Sequence, residues 1–251
     1  MNSSYWLGMI TLKNISVTVE ENQVISDVSL DIKPGTVHVC MGHNGSGKSS
    51  LALGIAGHPF YQITSGSLFF DGKDITDLGP DKKAQAGIFL SQQYPQALPG
   101  VTVYNLLTES YRALHPDADQ AELPKKIAQA RALLKLDESF LWRNTNEGFS
   151  GGEKKRCEML QLLVLKPKIT FLDEIDSGLD VDGLKIVSKA LSFFIKENPE
   201  SSLFLITHYQ KILEYITPDV VHVMHKGKLV ESSDATLIPK IQEAGYDQFN
   251  A

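Results

Sequence analysis

Apolar and polar positions alternate from Ile10 to Val19 (Ile10, Leu12, Ile15, Val17, Val19), the pattern of a half-buried strand. A second such run, Val24 to Ile32, stops at the turn signal Lys33-Pro34-Gly35. Val37-His38-Val39-Cys40-Met41 is a short β-rich run, and Leu51 to Ala56 is helix-compatible until Gly57-His58-Pro59. Ser67 to Phe70 predicts an edge strand and Ile88 to Leu90 a short buried one. From about Thr102 to Asn144 the period turns helical, most clearly over Lys125 to Leu136, and a further helix is expected from beyond Gly152 to Leu165, before Pro167. Apolar strands return at Ile169–Leu172, Leu203–Ile206 and Val220–Met224, with a helical stretch over Gly183–Ile195. Strands alternating with helices predict an α/β fold whose largely parallel sheet is covered on both faces.

Composition narrows the function classes without naming one. The chain has 251 residues, 42% hydrophobic and 22% charged, enough for a sizeable core and unlike a disordered segment. A formal charge of −6 argues against a broad nucleic-acid footprint. No stretch approaches the ~20 apolar residues of a membrane span, so any membrane role would pass through a partner, and a cytoplasmic location is expected. Residues 1–8 read as a flexible extension without signal-peptide character. The two cysteines, Cys40 and Cys157, are far apart and fit no metal-ligand spacing, so both are expected to be reduced and structural.

The chemistry-bearing motifs sit at strand ends. Gly42-His43-Asn44-Gly45-Ser46-Gly47-Lys48-Ser49, followed by Ser50, satisfies the P-loop pattern, with a strand before it and a helix after it. Glycines there let backbone N–H groups turn inward around phosphate oxygens at a helix N-terminus. Lys48 is expected to reach the β- and γ-phosphates, and Ser49 to offer its hydroxyl to Mg²⁺. Ile169 to Leu172 then runs into Asp173 and Glu174, the Walker B arrangement: Asp173 on the metal, Glu174 polarising the attacking water. Ser150 precedes a helical pattern as an N-cap would, and Gly151 and Gly152 leave its backbone open to an anion.

With Ser150-Gly151-Gly152-Glu153 placed some twenty residues before that strand end, the chain resembles the ATP-binding-cassette (ABC) ATPases over essentially its whole length. The resemblance implies a P-loop NTPase of ABC type, with a mostly parallel core sheet, an antiparallel β subdomain and an inserted helical subdomain. It implies one domain over 9–251, its catalytic core at about 9–93 and 168–251 and its helical part at about 94–167. Gln93 stands at the family's Q-loop and is also a metal ligand there; Ser177-Gly178-Leu179-Asp180 resembles the D-loop, and His208 the switch histidine. A head-to-tail dimer with a second copy is implied, each ATP lying between one P-loop and the other subunit's signature. One departure is plain. The family's adenine-stacking aromatic is missing from Val17 to Asn22, so apolar contact around Val19 is expected in its place.

Local spellings are similar to those of SufC, the ABC ATPases of the SUF iron–sulfur cluster assembly system. These are Ile175-Asp176-Ser177 after Glu174, Lys154-Lys155-Arg156 after Glu153, Ser91-Gln92-Gln93-Tyr94-Pro95, Thr207-His208-Tyr209, and a C-terminal stretch from Pro218 that runs on to Gly245-Tyr246. The resemblance implies SufB- and SufD-like scaffold partners, not transmembrane domains. The alternative is the ATP-binding subunit of a membrane ABC transporter; a third reading binds ATP without turnover, against which Glu174 and His208 weigh. Lys154-Lys155-Arg156 is expected to be a solvated helix face bordering the nucleotide interface, not a nucleic-acid contact.

Overall fold

Strands that are distant in sequence lie side by side at the centre of the molecule. The computed structural model describes residues 8–91, 93, 95–207 and 210–249. In chain order these form β1 (Ile10–Val19), β2 (Asn22–Ile32), β3 (Val37–Met41), α1 (Lys48–Ala56), β4 (Tyr61–Phe70), β5 (Lys73–Asp74), α2 (Pro80–Ala86) and β6 (Ile88–Ser91). The middle of the chain holds β7 (Leu98–Thr102), α3 (Val103–Leu114), α4 (Leu123–Leu133), β8 (Asn144–Thr145) and α5 (Gly151–Leu165). The rest forms β9 (Ile169–Asp173), α6 (Val181–Glu197), β10 (Ser202–Ile206), β11 (Val220–His225), β12 (Lys228–Ser233) and α7 (Leu237–Ala244).

The main sheet has the order β12-β11-β3-β10-β9-β6, parallel except for its edge strand β12. Its central strands are buried on both faces, as a parallel sheet between two layers requires. Alternate residues therefore serve different cores. Leu203 and Leu205 of β10 face a cluster shared with α5 and α6, whereas Phe204 and Ile206 face one shared with α1 and the second sheet. That second sheet, β2-β1-β4-β5, is antiparallel. Ser67–Phe70 is the end of the longer strand β4, which lies between β1 and β5 instead of at an edge. Its first half, Tyr61 to Gly66, is polar and largely exposed, so hydrophobic patterning gives no sign of it. α2 is short and mostly polar, so periodicity does not predict it, while α7 is equally short but places Leu237 and Ile241 four residues apart on its buried face. No helix among the described residues is long and apolar enough to cross a membrane.

The sheet also encloses a hydrogen-bonded histidine pair. The Thr36 hydroxyl donates to Lys33 O at 2.6 Å, so it must accept from His38 Nε2, 2.9 Å away. His38 Nδ1 then accepts from His222 Nε2 at 2.8 Å, and His222 Nδ1 from the Ser232 hydroxyl at 2.8 Å. His38 has no place in this chain for an extra proton, since its Nδ1 faces the His222 Nε2–H, and His222 could take one only by reversing its bond to the Ser232 hydroxyl. Burial holds His38 down to about 4 despite Asp219 nearby, and His222 down to about 3, with His38 adding to the effect. An unfolded chain takes up both protons near the ordinary histidine value, and the folded one does not. Stability is therefore full above pH 6.5 and is lost as pH falls from there toward 4. Chemical denaturation at pH 7 and pH 5 should show a loss of roughly 2–4 kcal/mol, about halved in His222→Gln, where His38 remains.

Candidate functional site

Parallel sheets bind ligands beyond the C-terminal ends of their strands. Here the ends of β3, β10 and β9 are neighbours, so Gly42, Thr207 and Asp173–Glu174 converge although they are far apart in the chain.

The loop after β3 is shaped by glycines with left-handed backbone: Gly42 (φ 148), Gly45 (φ 77) and Gly47 (φ 102). A Cβ on Gly42 would lie 2.2 Å from Met224 O, so a larger residue there would push the loop off the sheet, and at Gly47 the left-handed backbone and a 3.1 Å approach to Val24 O disfavour any side chain. Gly47 caps α1, whose first residue is Lys48. The Lys48 ammonium donates to Gly42 O and His43 O, each at 2.9 Å, and lies 3.3 Å from the Ser46 hydroxyl. Burial lowers its pKa, opposed by Cys40, Glu174 and Asp173. His43, Asn44 and Gly45 are exposed at the loop's crest, and Ser49 and Ser50 are half-buried on the helix's first turn.

Across from the loop, Asp173 ends β9 almost fully buried. Burial raises its pKa; a hydrogen bond from Ser49 works against that rise, while neighbouring Glu174 adds to it and Lys155 and Lys48 oppose it. Its Oδ1 has no hydrogen-bond partner among the described residues. Glu174 turns out of the strand in a left-handed conformation (φ 50), its amide on Ile206 O at 2.9 Å. Gln93 Nε2 donates to Glu174 Oε2 at 2.5 Å. Lys48, Ser49, Gln93 and Glu174 thus line one cavity of about 730 Å³ with the crest of the loop. Gln23, Val24, Lys226 and Gly227 also line it, so Val24 adds an apolar side chain to this cavity, to which Val19 does not contribute.

Ser150, Gly151, Gly152 and Glu153 are not in that cavity. Ser150 caps α5 in a full capping box: its hydroxyl accepts from Glu153 N, and its own amide donates to Glu153 Oε2 at 2.8 Å. The other Glu153 oxygen takes Arg143 Nη1 at 2.5 Å, and that guanidinium lies over the Phe149 ring at 4.4 Å. These bonds, Arg143 first, hold Glu153 below the usual carboxylate range. Asp180 is also structural within its own chain, accepting from Gly183 N at 2.7 Å to cap α6. Ser177 reaches both the nucleotide cavity and a smaller one of about 260 Å³ beside Gly151, Lys154 and Lys155. His208 lies outside the described residues.

The profile of the ABC transporter family matches residues 25–177. "Vegetative protein 296" of Bacillus subtilis (strain 168) is 46% identical over 241 residues, covering 95% of this chain and 92% of its own length. "Probable ATP-dependent transporter slr0075" of Synechocystis sp. (strain ATCC 27184 / PCC 6803 / Kazusa) is 45% identical, with 95% and 94% covered. The chain belongs to the ABC ATPase family. Among solved structures, the ADP- and Pi-bound dimer of the cassette MJ0796 superposes with a TM-score of 0.76 at 21% identity, covering 90% of this chain and 98% of that one.

As an ABC ATPase it binds ATP, and the phosphate loop, Gln93 and Glu174 line one common cavity. Two expectations need revision or extension. Lys155 is not on a solvated face: it is 6% exposed, with Nζ 3.7 Å from buried Glu158. Positions 155, 158, 159 and 162 share the inner face of α5, while Lys154 and Arg156 are half-buried to either side. Asp176, legible only as part of a spelling, accepts from the Thr207 hydroxyl at 2.7 Å and so ties the Walker B turn to the end of β10. Cys40 and Cys157 are fully buried, and burial pushes both thiols up to about 12, the behaviour of core residues.

Proposed function

We propose that this ABC ATPase hydrolyses Mg-ATP as a head-to-tail dimer and powers a shape change in a SufB/SufD-like scaffold during iron–sulfur cluster assembly. The observation that carries the dimer is the separation of Ser150–Glu153 from the same chain's nucleotide cavity. A signature loop built at the start of α5 and outside its own chain's cavity suits the nucleotide of a second copy.

Within each half, the loop amides and Lys48 hold the phosphates, and Glu174 takes a proton from the attacking water. Gln93, already on Glu174, orients that carboxylate and links it to the helical part at about 94–167. The unpartnered Asp173 Oδ1, with the Ser49 hydroxyl on the same carboxylate, suits a hard divalent cation, and the Gln93 carbonyl oxygen is a third candidate. When bound, Mg²⁺ would neutralise charge on the phosphate oxygens. His208 is assigned to the γ-phosphate from its motif alone.

The scaffold assignment rests on the local spellings together with an exposed aromatic patch. Trp142, 59% exposed, packs on Tyr104 beside exposed Leu98 and Val101, all at the helical end beyond Gln93. The second reading, a membrane-transporter subunit, is favoured by the name of the Synechocystis relative. Affinity capture of the tagged chain should recover SufB/SufD-like proteins in the soluble fraction, with Trp142→Ser reducing recovery at least several-fold. Recovery of integral membrane subunits instead would establish the transporter reading.

A further inference from the structure

The C-terminal end of the described chain closes on the entrance of the phosphate loop. α7 anchors Leu237 and Ile241 in the main core and stops at Gly245, whose φ of 66 turns the chain back. The Gln248 side-chain amide clamps that turn, donating to Gly245 O at 2.9 Å and Lys240 O at 3.2 Å. Tyr246 is thereby set against the loop. Its ring meets His43 edge-on with centroids 4.9 Å apart, and burial raises the pKa of its hydroxyl, opposed by the neighbouring Gly42 backbone. Gly42 and His43 supply the two carbonyls that hold Lys48 Nζ. On its other side, Gly42 abuts Met224 O of β11. The entrance is therefore gripped between the sheet and Tyr246.

We propose that Tyr246 is a positioning residue for nucleotide binding, holding Gly42 and His43 so that their carbonyls aim Lys48 at the phosphates. The assignment rests on the reading of Gly42–Ser49 as the nucleotide cradle. Tyr246 touches the loop and not the cavity lining, so its effect passes through Lys48. Lys48 contacts phosphate before and during the reaction, so the effect falls on affinity and KM more than on kcat.

The test compares ADP binding by calorimetry and ATP turnover for full-length wild type, Tyr246→Phe, Tyr246→Ala and Lys48→Ala. Tyr246→Phe, which keeps the ring on His43, should bind ADP about threefold more weakly, and Tyr246→Ala about tenfold, with KM rising in step and kcat within twofold. A purely structural tyrosine would give Tyr246→Phe wild-type affinity and KM, whatever happened to the thermal stability of Tyr246→Ala. That result overturns the proposal, as does a fall in kcat at constant KM. If Lys48→Ala also bound ADP like wild type, the cradle reading itself would fail.

Discussion

Replacing Glu174 with Gln should cut steady-state phosphate release by about 10²–10³-fold while ATP binding stays within a few-fold of wild type. The substitution keeps shape and removes only the basic oxygen. The carbonyl oxygen of Gln can still accept from Gln93 Nε2, the left-handed backbone at φ 50 is no harder for Gln than for Glu, and the amide bond to Ile206 O is untouched. What is lost is the group proposed to take the proton from water as the oxygen attacks. Single-turnover and steady-state phosphate assays on the partner-bound protein measure the effect. Near-normal turnover would show that another group accepts the proton.

Lys48→Ala should weaken nucleotide binding by about 10²-fold or more, measured by calorimetry with ATP or ADP. A hydrogen bond to a charged group is worth roughly 1.5–3 kcal/mol, and Lys48 is expected to make more than one to the phosphates. Lys48 is 4% exposed and its ammonium is pre-aimed by Gly42 O and His43 O, so little ordering is needed when phosphate arrives. Folding should survive. Burial disfavours the charged lysine, and its removal leaves carbonyls at a loop that borders the open cavity. An unchanged melting temperature with lost binding would separate the two effects, and unchanged binding would refute the role given to Lys48.

The parts of the site that were legible in sequence are those whose chemistry is local. A phosphate cradle needs consecutive amides, so Gly42 to Ser49 announce themselves as one string, and a strand that delivers carboxylates to water ends as Asp173-Glu174. The cap at Ser150 is equally local, since its partner Glu153 is three residues on. Lys155 misled for the opposite reason. Three adjacent basic residues look solvated, and only the packing of α5 over β9 turns the middle one toward Asp173 and Asp176. That Val24 lines the cavity while Val19 does not follows from the β1–β2 hairpin, which sets which side chain looks inward.

The sequence by itself determined the alternation of strands and helices, the nucleotide loop, the acidic strand end and the signature cap. Each is written in residues close enough to interact through one turn or one strand. Only the tertiary structure decided which strands became neighbours, and with that the meeting of His38 with His222, of Thr207 with Asp176 and of Tyr246 with His43. Such contacts depend on sheet order, which the chain sets by burying whole faces, and no short-range pattern records it.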